Sequence, residues 1–146
     1  MSASKLLGGK VEWIVGQDFV DARGWLSPIS FKPYDFKPVR AFIVSAPDGI
    51  ARGGHGHTRT RQIFMLIFGR IEVEMSDGAK TERHWLDAER RAILVEREIW
   101  TRQTFHGDNA AMVVLCDAEY DPGEYFQSKS AGFAEFDADA TGGNKR

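Results

Sequence analysis

The stretch from Gly49 to Gly69, GIARGGHGHTRTRQIFMLIFG, sets two imidazoles one residue apart behind a pair of glycines and an arginine. The chain has four histidines in all, so half of them stand here. In an extended strand, residues i and i+2 face the same side, which brings His55 and His57 to one face about 6–7 Å apart along the backbone. Gly56 between them leaves the opposite face bare, so another backbone or a ligand can come close there. Gly53 and Gly54 permit a bend just ahead of the pair. The next run, QIFMLIF (62–68), is unbroken and apolar, as expected of a strand buried on both faces.

Outward from this stretch the pattern repeats. VEWIV (11–15), WLSPISF (25–31) and RAFIVSA (40–46) precede it, and RIEVEM (70–75), KTERHWL (80–86), AILVE (92–96) and AAMVVLC (110–116) follow. β-Branched and aromatic residues are frequent in these runs, and Pro47-Asp48-Gly49 and Ser76-Asp77-Gly78 are turn signals. RIEVEMSDGAKTER alternates and reads as a half-buried hairpin, with His84 on its exposed side. DAERRAI (87–93) is too short for a helix, and no helical window of comparable quality exists. Many short strands at regular spacing predict an all-β sandwich or barrel. A length of 146 residues fits one domain, and the Gly-rich, polar DADATGGNKR (137–146) is expected to be a flexible tail.

Composition narrows the function classes. The chain is 42% hydrophobic and 27% charged, with ten Phe and four Trp, as in ordinary soluble globular proteins. A net charge of −2 recommends neither a nucleic-acid nor a membrane partner. MSASKLLGGK has too short an apolar run for a signal peptide, so a cytoplasmic location is expected. Cys116 is the single cysteine, which excludes a disulfide framework and a Cys-based zinc site; within AAMVVLCDA it reads as a small buried hydrophobe.

The spacing Gly49, five residues, His55-x-His57, four residues, Gln62, six residues, Gly69 is similar to the first cupin motif, with Gln where metal-binding cupins usually carry Glu. Those cupins add a Pro-x-Gly turn and a further histidine. Here the corresponding AILVEREIWTRQTF (92–105) has neither, and His106, in FHGDN, comes late among residues read as loop. Two imidazoles and the neutral amide of Gln62 make a thin ligand set for a divalent transition metal, so no metal cofactor is expected. A metal-dependent enzyme built on His55, His57 and Gln62 is the third-ranked reading. An imidazole titrates near neutrality, and the pair suits proton transfer better.

An ordered set of pieces extends the resemblance: DARGWL (21–26), FKPVRAF (36–42), RGGHGH (52–57), RQIFMLIFG (61–69), SDG (76–78), HWLD (84–87), Trp100 and VVLCDAEYDPGEYF (113–126). From about Asp21 to Phe136 the chain resembles the small WxcM-like and RmlC-like cupin enzymes that act as dTDP-sugar 3,4-ketoisomerases on dTDP-4-keto-6-deoxyglucose. The resemblance implies a cupin jelly-roll barrel over residues 1–136 and a homodimer. It also implies a dTDP-linked keto-sugar bound without metal in the barrel mouth, in deoxysugar or surface-polysaccharide biosynthesis. By position His55 and His57 inherit proton transfer. Arg40 and Arg52 match arginines suited to the two phosphates. Gln62 is expected to hydrogen-bond the sugar or orient a histidine, and Trp100 to form a pocket wall.

Three departures bear on activity. The family's catalytic tyrosine position is Phe42, whose ring carries no proton to exchange. The family's WHE at the barrel mouth reads Trp100-Thr101-Arg102, and its alanine between the histidines is Gly56. Tyr34, Tyr120 and Tyr125 are the candidate replacements, none of them on the matching strand, and a structural role is expected for Tyr120 and Tyr125. A cupin that binds a nucleotide sugar without turning it over is the second reading.

Overall fold

The computed structural model describes residues 4–127, so the expected tail at 137–146 lies outside the described residues. The strands are β1 (Lys5–Leu6), β2 (Val11–Trp13), β3 (Phe19–Asp21), β4 (Gly24–Leu26), β5 (Arg40–Ser45), β6 (Ala51–His57), β7 (Gln62–Ser76), β8 (Thr81–Leu86), β9 (Ala92–Val95), β10 (Trp100–Cys116) and β11 (Tyr125–Phe126). Nine of them form one sheet in the order β1-β2-β9-β7-β10-β6-β11, with β5 on β10 and β8 on β7; β3 and β4 form a separate hairpin. No helix among the described residues is long and apolar enough to cross a membrane.

Two long strands make the sheet fold over on itself. β7 pairs with β9 through Gln62–Met65 and with β8 through Ile71–Ser76. β10 pairs with β6 through Thr101–Thr104 and with β5 through Ala111–Cys116, while lying against β7 throughout. The inward parity changes midway along both. On β7, Phe64 and Leu66 face the core, then Ile71, Val73 and Met75; on β10, Phe105 does, then Ala110, Met112 and Val114. A period-2 strand keeps one face unless a bulge intervenes. Here the break falls at Gly69 (φ +80°) and Gly107 (φ +109°), beside a register shift between His106 and Ala111. A Cβ on Gly69 would lie 2.6 Å from Ala110 Cβ, so only glycine fits. Gly69, expected to separate two strands, is thus a bend within one. Side chains of both halves meet in a single core with Val11, Trp13, Leu86, Ile93 and Val95, which closes the curled sheet into the expected barrel.

The outer face is covered only in part. Ile63 and Leu94 are buried under Phe36, with Ile14, Ile29, Phe31 and Tyr34 around them. WLSPISF, expected as a strand over 25–31, therefore pairs only as far as Leu26. Pro28 has no N–H for a ladder, and Ile29 and Phe31 pack on the sheet instead of joining it. QIFMLIF is buried on both faces at its start but not at its end, where Phe68 is 57% exposed. The β3–β4 hairpin stands off the body, tied by Arg91, whose Cζ lies 3.8 Å from the Trp25 ring centroid and whose Nε is 3.3 Å from Asp18 Oδ2.

The β7–β8 hairpin forms as expected, closed by Asp77 Oδ1 accepting from the Ala79 and Lys80 amides. His84 is half-buried on it rather than exposed: its ring meets Trp13 edge-on and its Nε2 lies 3.0 Å from Glu82. His106, read as loop, lies in β10 opposite Arg70 and packs on Trp85.

Candidate active site

The site begins at the Pro47-Asp48-Gly49 turn, where the Ile50 amide donates to the Pro47 carbonyl at 3.0 Å and Gly49 takes φ +82°. β6 leaves this turn alongside β10, with Arg52 opposite Gln103. Gly53 and Gly54, at φ +88° and +83°, absorb the bend predicted for them, and His55 then comes opposite Thr101. The buried face of β10 here carries Thr101 and Gln103, whose amide donates to the Thr101 hydroxyl at 2.8 Å.

What approaches the bare face of Gly56 is the chain itself. β11 returns antiparallel to β6, pairing Tyr125 with His57 and Phe126 with Gly56. A Cβ on Gly56 would overlap the Phe126 ring and lie 2.6 Å from the Ile99 carbonyl oxygen. The 3₁₀ turn Pro122–Glu124, capped by Asp121 accepting from the Gly123 amide, delivers β11 to this position.

That turn also places Glu124, which the sequence reading did not single out. Its buried carboxylate lies 3.2 Å from His57 Nδ1, accepts from the Arg59 amide at 2.7 Å, and takes the Thr60 hydroxyl. Burial alone would raise its pKa, but the hydrogen bonds from His57, Thr60 and Arg59 together hold it down at about 2. An ionised carboxylate only accepts, so His57 Nδ1 carries the proton, and Nε2 is the nitrogen whose lone pair is available whenever the ring is neutral. Nε2 is buried with no hydrogen-bond partner among the described residues, and so is His55 Nδ1. Burial, and next the proximity of His57, depress the His55 pKa to about 3, against a small opposing effect of the Gly53 backbone. At neutral pH His55 is a neutral imidazole.

Tyr125, expected to be structural, lies against both histidines. Its ring centroid is 4.8 Å from that of His55 and 4.3 Å from that of His57, whose own centroids are 5.4 Å apart. Burial pushes its hydroxyl up to about 12, partly opposed by the positive charge of Arg40. Arg40 also lies 4.7 Å from the Phe42 ring and 5.2 Å from the Tyr120 ring, and it faces Cys116 across the β5–β10 ladder. Gln62 Nε2 donates to Cys116 Sγ at 3.4 Å, and burial raises that thiol's pKa.

The expected residues thus separate into two groups. His55, His57, Arg40 and Gln62 are linked through Tyr125 and Cys116, and Arg52 enters on the histidine strand. Trp100 does not join them. It precedes Thr101 in an alternating strand, shares its face with Arg102, whose Cζ is 5.5 Å from its ring, and donates its indole N–H to the Gln127 carbonyl at 3.0 Å. Trp100 is thus buried where the C-terminal segment crosses β10. Among the described residues no group of three His, Cys, Asp or Glu side chains is arranged to hold a metal ion.

The family model described as "FdtA: WxcM-like, C-terminal" matches residues 9–137. No curated protein sequence matches the chain. Among solved structures, a 3,4-ketoisomerase from Helicobacter canadensis is similar at 20% identity and TM-score 0.72, over 81% of this chain and 90% of that one. QdtA, a sugar 3,4-ketoisomerase from Thermoanaerobacterium thermosaccharolyticum solved with TDP, is 21% identical at TM-score 0.73, over 82% and 88%. The rmlC epimerase of Mycobacterium tuberculosis is 18% identical at TM-score 0.77, over 93% and 84%. These likenesses establish the RmlC-like cupin barrel. With nearly its whole described length inside the matched range, the chain belongs to the FdtA family of WxcM-like C-terminal domains.

Proposed function

We propose that this protein is a nucleotide-sugar 3,4-ketoisomerase. In this reading it takes a dTDP-linked 4-keto-6-deoxyhexose and moves the ketone from C4 to C3 through an enediol, in cytoplasmic deoxysugar or surface-polysaccharide biosynthesis. The observation that carries the reading is the His57–Glu124 pair. A carboxylate fixes the tautomer that leaves Nε2 free, and a second neutral imidazole stands beside it on the same face. Support comes from the solved relatives, one of which is a histidine-to-asparagine variant of QdtA in complex with TDP-4-keto-6-deoxyglucose.

The chemistry asked of the site is modest. His57 Nε2 removes the proton at C3, made acidic by the adjacent ketone, and returns a proton at C4, with His55 as the second proton-transfer group. Positioned acid–base groups of this kind contribute about 10²–10⁴-fold. Arg40 is suited to the developing enediolate oxygen, and Gln62, through Cys116, borders the same corner. Arg52 is suited to the diphosphate, which a guanidinium binds bidentately. We assign no metal to this reaction and propose a homodimer as the working form.

Incubation with dTDP-4-keto-6-deoxyglucose in deuterium oxide tests the reading: the 3-keto sugar is expected as product, with deuterium at its C4 and, by reversal, at C3 of recovered substrate, the proton on His57 exchanging with solvent while the enediol is bound. A folded protein that binds dTDP yet incorporates no deuterium is instead a nucleotide-sugar-binding cupin, the reading that Phe42 favours.

A further inference from the structure

We propose that Tyr125 is the phenolic proton shuttle of this site, exchanging protons with the sugar oxygens while the histidines serve the carbons. The inference rests on the ketoisomerase reading and adds to it a residue on a different strand from Phe42.

Three observations carry it. First, Tyr125 is the tyrosine, among the described residues, whose ring packs on both imidazoles. Tyr34 accepts from the Val15 amide at 3.0 Å, where its segment packs on the outer face, and Tyr120 meets Tyr125 only edge-on at 6.0 Å. Second, anchoring does not require the hydroxyl. Phe126 fills the space over Gly56 and Glu124 binds β6 through His57, Arg59 and Thr60, so the flanking residues already fasten the segment. Third, a cation stands near it: the Arg40 guanidinium lies 5.2 Å from the ring of Tyr120, which itself meets the Tyr125 ring edge-on at 6.0 Å. Arg40 also lies 4.7 Å from the Phe42 ring, so the same guanidinium neighbours Phe42 directly and Tyr125 through Tyr120.

The proton and electron balance requires such a group. When His57 Nε2 takes the C3 proton, the C3–H electron pair becomes the C3=C4 bond, and the C4=O π electrons move to O4. Tyr125 O–H gives O4 its proton, and the resulting phenolate takes the proton of O3–H. The O3 electrons then form C3=O, and the C3=C4 pair accepts the proton from His57 at C4. One proton has moved from C3 to C4 and one from O3 to O4, with no oxidant or reductant. Burial keeps Tyr125 protonated at neutral pH, so it enters as a donor, and the adjacent Arg40 guanidinium stabilises the transient phenolate.

Tyr125→Phe keeps the ring against both histidines and removes only the hydroxyl. The expected result is 3-keto product formation about 10²-fold slower or more, with KM within threefold, an unchanged melting midpoint, and deuterium exchange at C3 of recovered substrate reduced less than tenfold. Adding Phe42→Tyr to Tyr125→Phe is expected to restore product formation at least tenfold. Product formation within threefold of wild type, or exchange and product lost in equal measure, overturns the shuttle while leaving the isomerase intact. A wild-type protein with neither exchange nor product overturns both readings.

Discussion

The residue that organises the site is Glu124, and two separable outcomes follow from it. Its pKa is held at about 2 by donors present only in the folded chain, against an ordinary 4.5. Above pH 4.5 the carboxylate therefore favours the folded state, and that contribution is lost as pH falls from 4.5 toward 2. Glu124→Gln is expected to be less stable at pH 7 and to show a flatter melting temperature across that window. It is also expected to lower kcat about 10²-fold with little change in KM, because a neutral amide no longer fixes the His57 tautomer. Melting curves from pH 2 to 7 and steady-state kinetics check the two effects; wild-type kcat in the variant would remove Glu124 from the mechanism. His55 and His57 were legible in the sequence because their spacing fixes their shared face. Glu124 was not, because its relation to His57 depends on a pairing 67 residues away in sequence.

At the scale of elements, β6 and β11 show which inferences a sequence supports. That something would approach Gly56 followed from the missing side chain; that it would be Phe126 and the Ile99 carbonyl did not, since short strands like β11 have no periodicity to read. Gly56→Ala is expected to destabilise the protein by about 1–3 kcal/mol through overpacking, measured by denaturant unfolding with the m-value unchanged. A stability within 0.5 kcal/mol of wild type, about the scatter of neutral surface substitutions, would mean the two strands can separate at no cost. Element ends were the weaker part of the reading. Gly69 and the run from Trp100 to Cys116 divide in composition but not in structure, because a bulge preserves the ladder while it reverses the facing.

On the scale of the molecule, the uncovered apolar surface has to be accounted for. Ile43, Phe68 and the β3–β4 hairpin residues Phe19, Val20 and Leu26 are each more than half exposed. Exposed apolar side chains of this size are common on surfaces that meet another protein, and they suit the proposed homodimer. Light scattering coupled to gel filtration is expected to give twice 16.4 kDa for the wild type and 16.4 kDa for Ile43→Lys. That side chain touches no core, so the variant stays folded; a dimer that persists would place the interface elsewhere. The barrel itself was largely legible from alternation and turn signals, while its closure was not, since that depends on β7 and β10 each spanning both halves of the curled sheet. This sharing has a kinetic consequence. With β7 and β10 spanning both halves, neither half has a complete set of ladder partners of its own, and most contacts join residues far apart in sequence. Such a chain is expected to fold late and all at once, with the ladder-bonded amides of β7 and β10 exchanging with solvent only through global opening, unlike those at the exposed break after His106.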